Sequence, residues 1–235
     1  MNNLNILSGG AAQGLVGSLA PAFKAQTGFD ITGEFGAVGA MAENLRKGTP
    51  ADIVILTAAI VAKLAEEKLV VAASIADVGL VETALAVRAS DPGVTVQDAA
   101  GLRECLLASD AIYVPDTVAS TAGIHVAKVL AQLGITEEVA SRLRIFPNGA
   151  TAMREMAASD ARRPIGCTQS TEIISTRGVT LSGALPPGCE LATMYTAGVT
   201  TRTAHAPEAQ VLIDLLIGEG QREQRERAGF ISGTK

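Results

Sequence analysis

The chain has 235 residues, 48% of them hydrophobic and 18% charged, with a formal net charge of −5. That length supports one large domain or two modest α/β lobes, each with its own core. An acidic balance without blocks of like charge leaves no basic footprint for nucleic acid or an anionic membrane surface, and no stretch reaches the roughly 20 apolar residues of a membrane-spanning helix.

In chain order, residues 4–7 read as a buried strand, followed by a glycine turn and a helix over about residues 12–27. Leu15, Leu19 and Phe23 recur there at spacing four, one apolar stripe, and Gly28 is placed to cap its end. A strand is expected over 29–35, a helix over 39–47, a strand over 51–56 and a helix over 58–68. The Val-, Leu- and Ala-rich run 79–88 reads as extended. Strand 111–114, helix 123–133, strand 144–146, helix 151–159 and strand 164–167 follow, then a second extended run over 189–201 and a closing helix over 207–216. Strands alternating with helices imply parallel sheets covered on both faces. The two extended runs bracket a central block with its own β/α units. The expected division is therefore 1–82 with 192–235 as one lobe and 83–191 as the other, joined by two crossing strands.

Four segments share one design, running from a strand through a turn of small or polar residues into a helix. They are Ser8-Gly9-Gly10-Ala11-Ala12, Gly36-Ala37-Val38-Gly39-Ala40, Ser120-Thr121-Ala122-Gly123 and Asn148-Gly149-Ala150-Thr151. A helix start offers unpaired N–H groups and the positive end of a dipole, and small residues let an anion approach them. One such turn alone is an ordinary capped connection. Four of them, at the carboxyl ends of strands where open α/β sheets gather ligands, point to an anion site. None matches a nucleotide-binding glycine motif. Thr168, Gln169 and Ser170 form a fifth polar segment after an apolar strand, able to hydrogen-bond an oxyanion or to cap the next helix.

Among titratable groups, His125 in the helix after Ser120 and Glu172 beside the fifth segment are the candidate proton carriers. Each has an ordinary alternative as an exposed helix residue, a cap or a surface charge, as does Asp116. His205 reads as solvated, and Cys167 as a buried strand-end thiol that would need a nearby base to act. The three cysteines, Cys105, Cys167 and Cys189, contain no CxxC pair, no metal-ligand cluster is visible, and no cofactor is expected. Met1-Asn2-Asn3-Leu4-Asn5 has neither a basic nor an apolar leader region, which together with the odd cysteine count points to the cytoplasm. A periplasmic location is the alternative if a leader was removed.

Residues 4–23, the turn Phe35-Gly36-Ala37-Val38-Gly39-Ala40, the segment Gly48-Thr49-Pro50-Ala51-Asp52 and the closing stretch with Gly220-Gln221 and Gly229-Phe230 together resemble the periplasmic molybdate-binding proteins. The resemblance runs over essentially the whole chain. It implies the α/β, two-lobed type 2 periplasmic-binding-protein fold, with an interlobe cleft that closes around a ligand. The family's oxyanion-binding serines would fall at Ala11 and Val38, and its binding tyrosine near Gln169, so molybdate is disfavoured. Aconitate isomerase uses a similar scaffold. The expectation is an organic di- or tricarboxylate bound by Gly9, Gly10, Ala11, Val38, Gly39, Ser120, Thr121, Asn148, Thr168, Gln169 and Ser170. A 1,3-proton shift would then involve His125 or Glu172. The alternative is the receptor of an ABC importer, the one case in which a permease would be its partner.

Overall fold

The computed structural model describes residues 2–231, so residues 1 and 232–235 of the expected first lobe lie outside the described part. The chain divides into two compact units, Met1–Val81 with Thr193–Lys235, and Glu82–Ala192.

The first unit opens with β1 (Asn3–Gly9), α1 (Gln13–Thr27), β2 (Asp30–Gly36), α2 (Val38–Arg46), β3 (Ile53–Thr57) and α3 (Ala58–Glu66). β1 lies between β2 and β3 and is parallel to both. All five residues of β3 are buried, as an apolar run inside a covered sheet must be. The expected stripe on α1 is present: Leu15, Val16, Leu19 and Phe23 join the core with Leu4, Ile6 and Ile53. Fully burying side chains of this size contributes roughly 1.5–3 kcal/mol each. Gly28 ends α1 at φ 76°, its N–H bonded to Lys24 O at 2.8 Å, a left-handed cap that costs glycine nothing sterically.

β4 (Ala76–Arg88) carries the chain into the second unit. There follow α4 (Ala99–Ala108), β5 (Ala111–Pro115), α5 (Thr121–Gln132), α6 (Thr136–Val139), β6 (Leu143–Phe146), α7 (Gly149–Ala157), β7 (Pro164–Gln169), α8 (Ser170–Ile174) and β8 (Val179–Ala184). β5 is parallel to β6 and β7, and β7 is antiparallel to β4. Strand alternation sorts this sheet's side chains onto two faces. Leu85, Ile112 and Val114 meet α4 and α5 through Leu102, Leu106, Val126 and Leu130. Ala84, Ala86 and Tyr113 meet α7 and α8 through Met153, Met156 and Ile173.

β9 (Ala192–Val199), α9 (Ala206–Ile217) and α10 (Arg222–Arg227) return to the first unit. β9 pairs antiparallel with β3, from Ile53↔Val199 to Thr57↔Tyr195, and α9 packs on α1. The sheets are therefore mixed rather than wholly parallel, because the segments that leave and re-enter each unit run against the β/α repeat. Four of these elements have no counterpart in the sequence expectations: α4, α6, β8 and α10.

Candidate functional site

In the first unit, the parallel register sets Gly9 level with Gly36, so the turns after β1 and β2 lie side by side at one sheet edge. Gly10–Ala12 forms a single 3-10 turn and α1 begins only at Gln13, so the helix expected from residue 12 starts one residue later, behind that turn. Val38 and Gly39 open α2 after Ala37. Ala11 and Val38 are buried members of the core, with 2% and 5% exposure, so their side chains pack inward and offer no polar group. Gly9 must be glycine here: a Cβ would stand 2.8 Å from Val38 Cγ1 and 2.9 Å from Tyr195 Cε1.

In the second unit, β5, β6 and β7 end at a common edge, and the three polar segments follow them. After β5, Asp116 Oδ1 accepts the N–H groups of Val118 and Ala119 at 2.7 and 2.8 Å, and these bonds hold its carboxyl below the usual range. Asp116 thus shapes the loop that leads to Ser120 and Thr121. Ser120 precedes α5 without capping it through its side chain. Gly123 allows close approach, since a Cβ would meet Asp116 O at 2.1 Å. After β6, Asn148 caps α7, its Oδ1 accepting Thr151 N–H at 2.8 Å. That oxygen is spent on the helix.

After β7 the geometry differs from the polar loop expected. Thr168 and Gln169 are the last residues of the strand, Ser170 and Thr171 already belong to α8, and all four are buried. Gln169 stands before α8 without a side-chain cap bond. Thr168 Oγ1 donates to Glu172 Oε2 at 2.6 Å. Glu172 is 4% exposed and draws further on the N–H groups of Ala150, Gly149 and Gln169. Burial pushes its carboxyl above the ordinary carboxylate range, against the pull of these four donors. Gly149 makes that contact possible, because a Cβ would stand 2.0 Å from both Glu172 Oε2 and Thr168 Oγ1. Glu172 therefore ties the start of α7 to β7 and α8.

Beside this tie lies unmet polar demand. Gln169 is 3% exposed, and neither Oε1 nor Nε2 of its amide has a partner. Thr83, opposite Gln169 in the register of β4 and β7, and Thr171 each bury an unbonded hydroxyl. Buried polar groups are nearly always satisfied in native proteins, so three such side chains around one strand end are an unusual concentration of unpaired donors and acceptors.

The remaining candidates stand apart from that chemistry. The Nε2 of His125 lies 2.8 Å from Cys189 O, so this ring pins the loop before β9. His205 is half-buried, edge-on to Phe29 with ring centroids 5.1 Å apart, rather than solvated. Cys167 is buried and its thiol is pushed up to about 12 by desolvation, which leaves it unreactive. Asp52, from the Gly-x-Pro-Ala-Asp segment, accepts from Asn5 N–H at 2.7 Å and from the Thr203 hydroxyl, so it braces β1 against the chain after β9. Among the described residues no group of three or more His, Cys, Asp or Glu is placed to hold a metal ion, and no helix is long and apolar enough to cross a membrane.

The profile of a family described as bacterial extracellular solute-binding protein matches residues 4–231. An aconitate isomerase from a Pseudomonas species is 22% identical over 241 residues, covering 98% of this chain and 88% of that protein. The periplasmic molybdate-binding protein of Azotobacter vinelandii superposes with a TM-score of 0.81 at 17% identity, covering 98% of this chain and 100% of that one. The sulfate-binding protein of Mycobacterium tuberculosis superposes with a TM-score of 0.75 at 18% identity, covering 98% and 86%. At these identities the likeness is one of fold, the type 2 periplasmic-binding-protein fold.

Proposed function

This chain belongs to the bacterial extracellular solute-binding protein family, and from that premise we propose that it is a receptor for a small organic polycarboxylate. The carrying observation is the Gln169 amide, buried with both polar atoms unbonded beside the free hydroxyls of Thr83 and Thr171. An amide and two hydroxyls can donate to carboxylate oxygens and accept from a hydroxyl or a protonated acid. Backbone N–H groups at the start of α5, in the same unit, add donors without a fixed charge. Ala11 and Val38 stand where the resembled molybdate-binding family has oxyanion-binding serines and supply no hydroxyl, which disfavours a compact tetraoxyanion. The family's description as extracellular favours a periplasmic location over a cytoplasmic one, with delivery to an ABC permease. Fractionation of the native host locates the protein.

The test is a thermal-shift and calorimetric series with citrate, aconitate, malate and succinate against molybdate and sulfate. At one hundred times Kd a ligand stabilises by about 2.7 kcal/mol, enough to raise Tm by several degrees. Polycarboxylates are expected to stabilise, and Gln169→Leu to abolish the shift. A molybdate or sulfate response exceeding every carboxylate overturns the reading.

A second reading rests on the similarity to aconitate isomerase along 98% of the chain and on the buried Glu172 carboxyl with its raised proton affinity. In it the bound acid undergoes a 1,3-proton shift with Glu172 as the proton carrier, since the His125 ring is engaged with Cys189 O. Incorporation of deuterium from heavy water into aconitate, followed by NMR, tests it. Tight binding without exchange leaves the receptor alone.

A further inference from the structure

We propose that the second unit carries a separate pocket for an amphipathic monocarboxylate of the medium-chain fatty acid class. A cavity of about 490 Å³ opens between the segment before α4, α4 itself and the start of β7. Its volume falls within the roughly 300–1,000 Å³ of small-molecule sites. Val87, Val94, Val96, Cys105, Ala108 and Ile165 give it an apolar lining. Pro164 and Ile165 begin β7, whereas Thr168 and Gln169 end it, so this pocket and the polar strand end occupy opposite ends of one strand.

Charge at the rim selects the head group. Asp91 is neutralised by Arg88, whose Nε lies 2.8 Å from Oδ2. The Asp110 carboxylate accepts the backbone N–H groups of Arg162 and Arg163 at 2.9 and 3.0 Å. Arg162 and Arg163 line the pocket, and among the described residues neither side chain makes a hydrogen bond, although the Arg163 charge also acts on Asp110. Of the charged residues that line it, Arg162 and Arg163 outnumber Asp91, a positive rim on a chain whose net charge is −5. An apolar cavity rimmed by two exposed arginines is complementary to a hydrocarbon chain ending in a carboxylate, which the planar fork of Arg engages well. A short polycarboxylate has no apolar body to fill it.

The experiment is calorimetry on the full chain with hexanoate, octanoate and decanoate below their aggregation concentrations, alongside decanol and decylammonium. Cys105 supplies an independent readout: it is half-buried in this pocket, whereas Cys167 and Cys189 are buried elsewhere, so maleimide labelling followed by intact mass reports on the cavity. Expected is saturable binding at one site, tightening roughly fifteenfold from each acid to the next, the gain from two methylenes at about 0.8 kcal/mol each. Decanoate should slow Cys105 labelling, decylammonium should bind at least tenfold more weakly, and the double variant Arg162→Glu with Arg163→Glu should lose the preference for the acid. Both arginines are exposed, so the variant is expected to fold. Unsaturable binding, unchanged Cys105 labelling under saturating decanoate, or equal affinity for decanoate and decylammonium each overturns the proposal. Competition by citrate for the decanoate site would also overturn it, and leaves the receptor reading standing.

Discussion

Replacing Gly149 by alanine puts a methyl group where the structure holds a carboxylate. Its Cβ would sit 2.0 Å from Glu172 Oε2, 2.0 Å from Thr168 Oγ1 and 2.6 Å from Glu172 Cδ, far inside contact distance. Relief requires Glu172 to retreat from Thr168 and from at least one N–H donor, inside a region that is 4% exposed or less at Thr168, Gln169 and Glu172. Two hydrogen bonds to a carboxyl group are worth about 3–6 kcal/mol, and alanine in a helix returns up to about 1 kcal/mol. The net expectation is a loss of about 2–5 kcal/mol, or a Tm lower by roughly 4–20 °C for a chain of this size. Gly17, inside α1, is the matched control, because nothing lies within 4 Å of its Cβ position. Gly17→Ala should stabilise by about 0.5–1 kcal/mol. Urea and thermal unfolding of both variants by circular dichroism decide the matter. If Gly149→Ala proves as stable as the parent, the carboxylate is not pinned where the structure places it, and its role in ordering the strand end is refuted.

Gln169→Leu removes a buried amide with no partners, so the ligand-free protein should gain about 1–3 kcal/mol while the polycarboxylate-induced Tm shift disappears; both come from one melting series. Asp52→Ala should cost about 2–4 kcal/mol by orphaning Asn5 N–H and the Thr203 hydroxyl, without changing the ranking of ligands in calorimetry. Because burial raises the Glu172 carboxyl, the folded chain holds its proton to higher pH than the unfolded chain, which releases it at about pH 4.3. That contribution to stability is full below the unfolded value and is lost as pH rises through the folded one. Urea midpoints across this window should fall with pH in the parent, and the decline attributable to this group should vanish in Glu172→Gln.

Much of the architecture was legible because burial leaves periodic traces. Leu15, Leu19 and Phe23 at spacing four announced α1, and the unbroken run from Ile53 to Leu56 announced a covered strand. β8 left no such trace, since none of its six residues is buried and its pairing with β4 is irregular between Leu85 and Ala86. α4 did carry a signal that went unread: Asp98 three residues before Gly101, whose N–H it caps at 2.8 Å, followed by Leu102 and Leu106 facing the core. At the site, residue types pointed to the polar segment after β7 but not to its burial. Thr168 to Thr171 look like a loop in one dimension, and only their place opposite β4 and beneath α7 makes them an interior surface. Asn148 illustrates the opposite error, a polar side chain whose oxygen is absorbed by its own helix.

The first unit is assembled from the two ends of the chain, and this fixes the order in which synthesis can complete it. Residues 53–57 form the edge that β9 must cover, yet Tyr195–Val199 emerge from the ribosome some hundred and forty residues later, a separation read from the pairing of Ile53 with Val199. Throughout that interval Ile53, Val54, Ile55 and Leu56 present an apolar strand with one side unpaired, the kind of template to which other nascent chains adhere. The second unit, contiguous from Glu82 to Ala192, can condense meanwhile and draw its two ends together, shortening the loop that β9 has to close. A holding chaperone would have its strongest claim on this polypeptide just before the final forty residues appear.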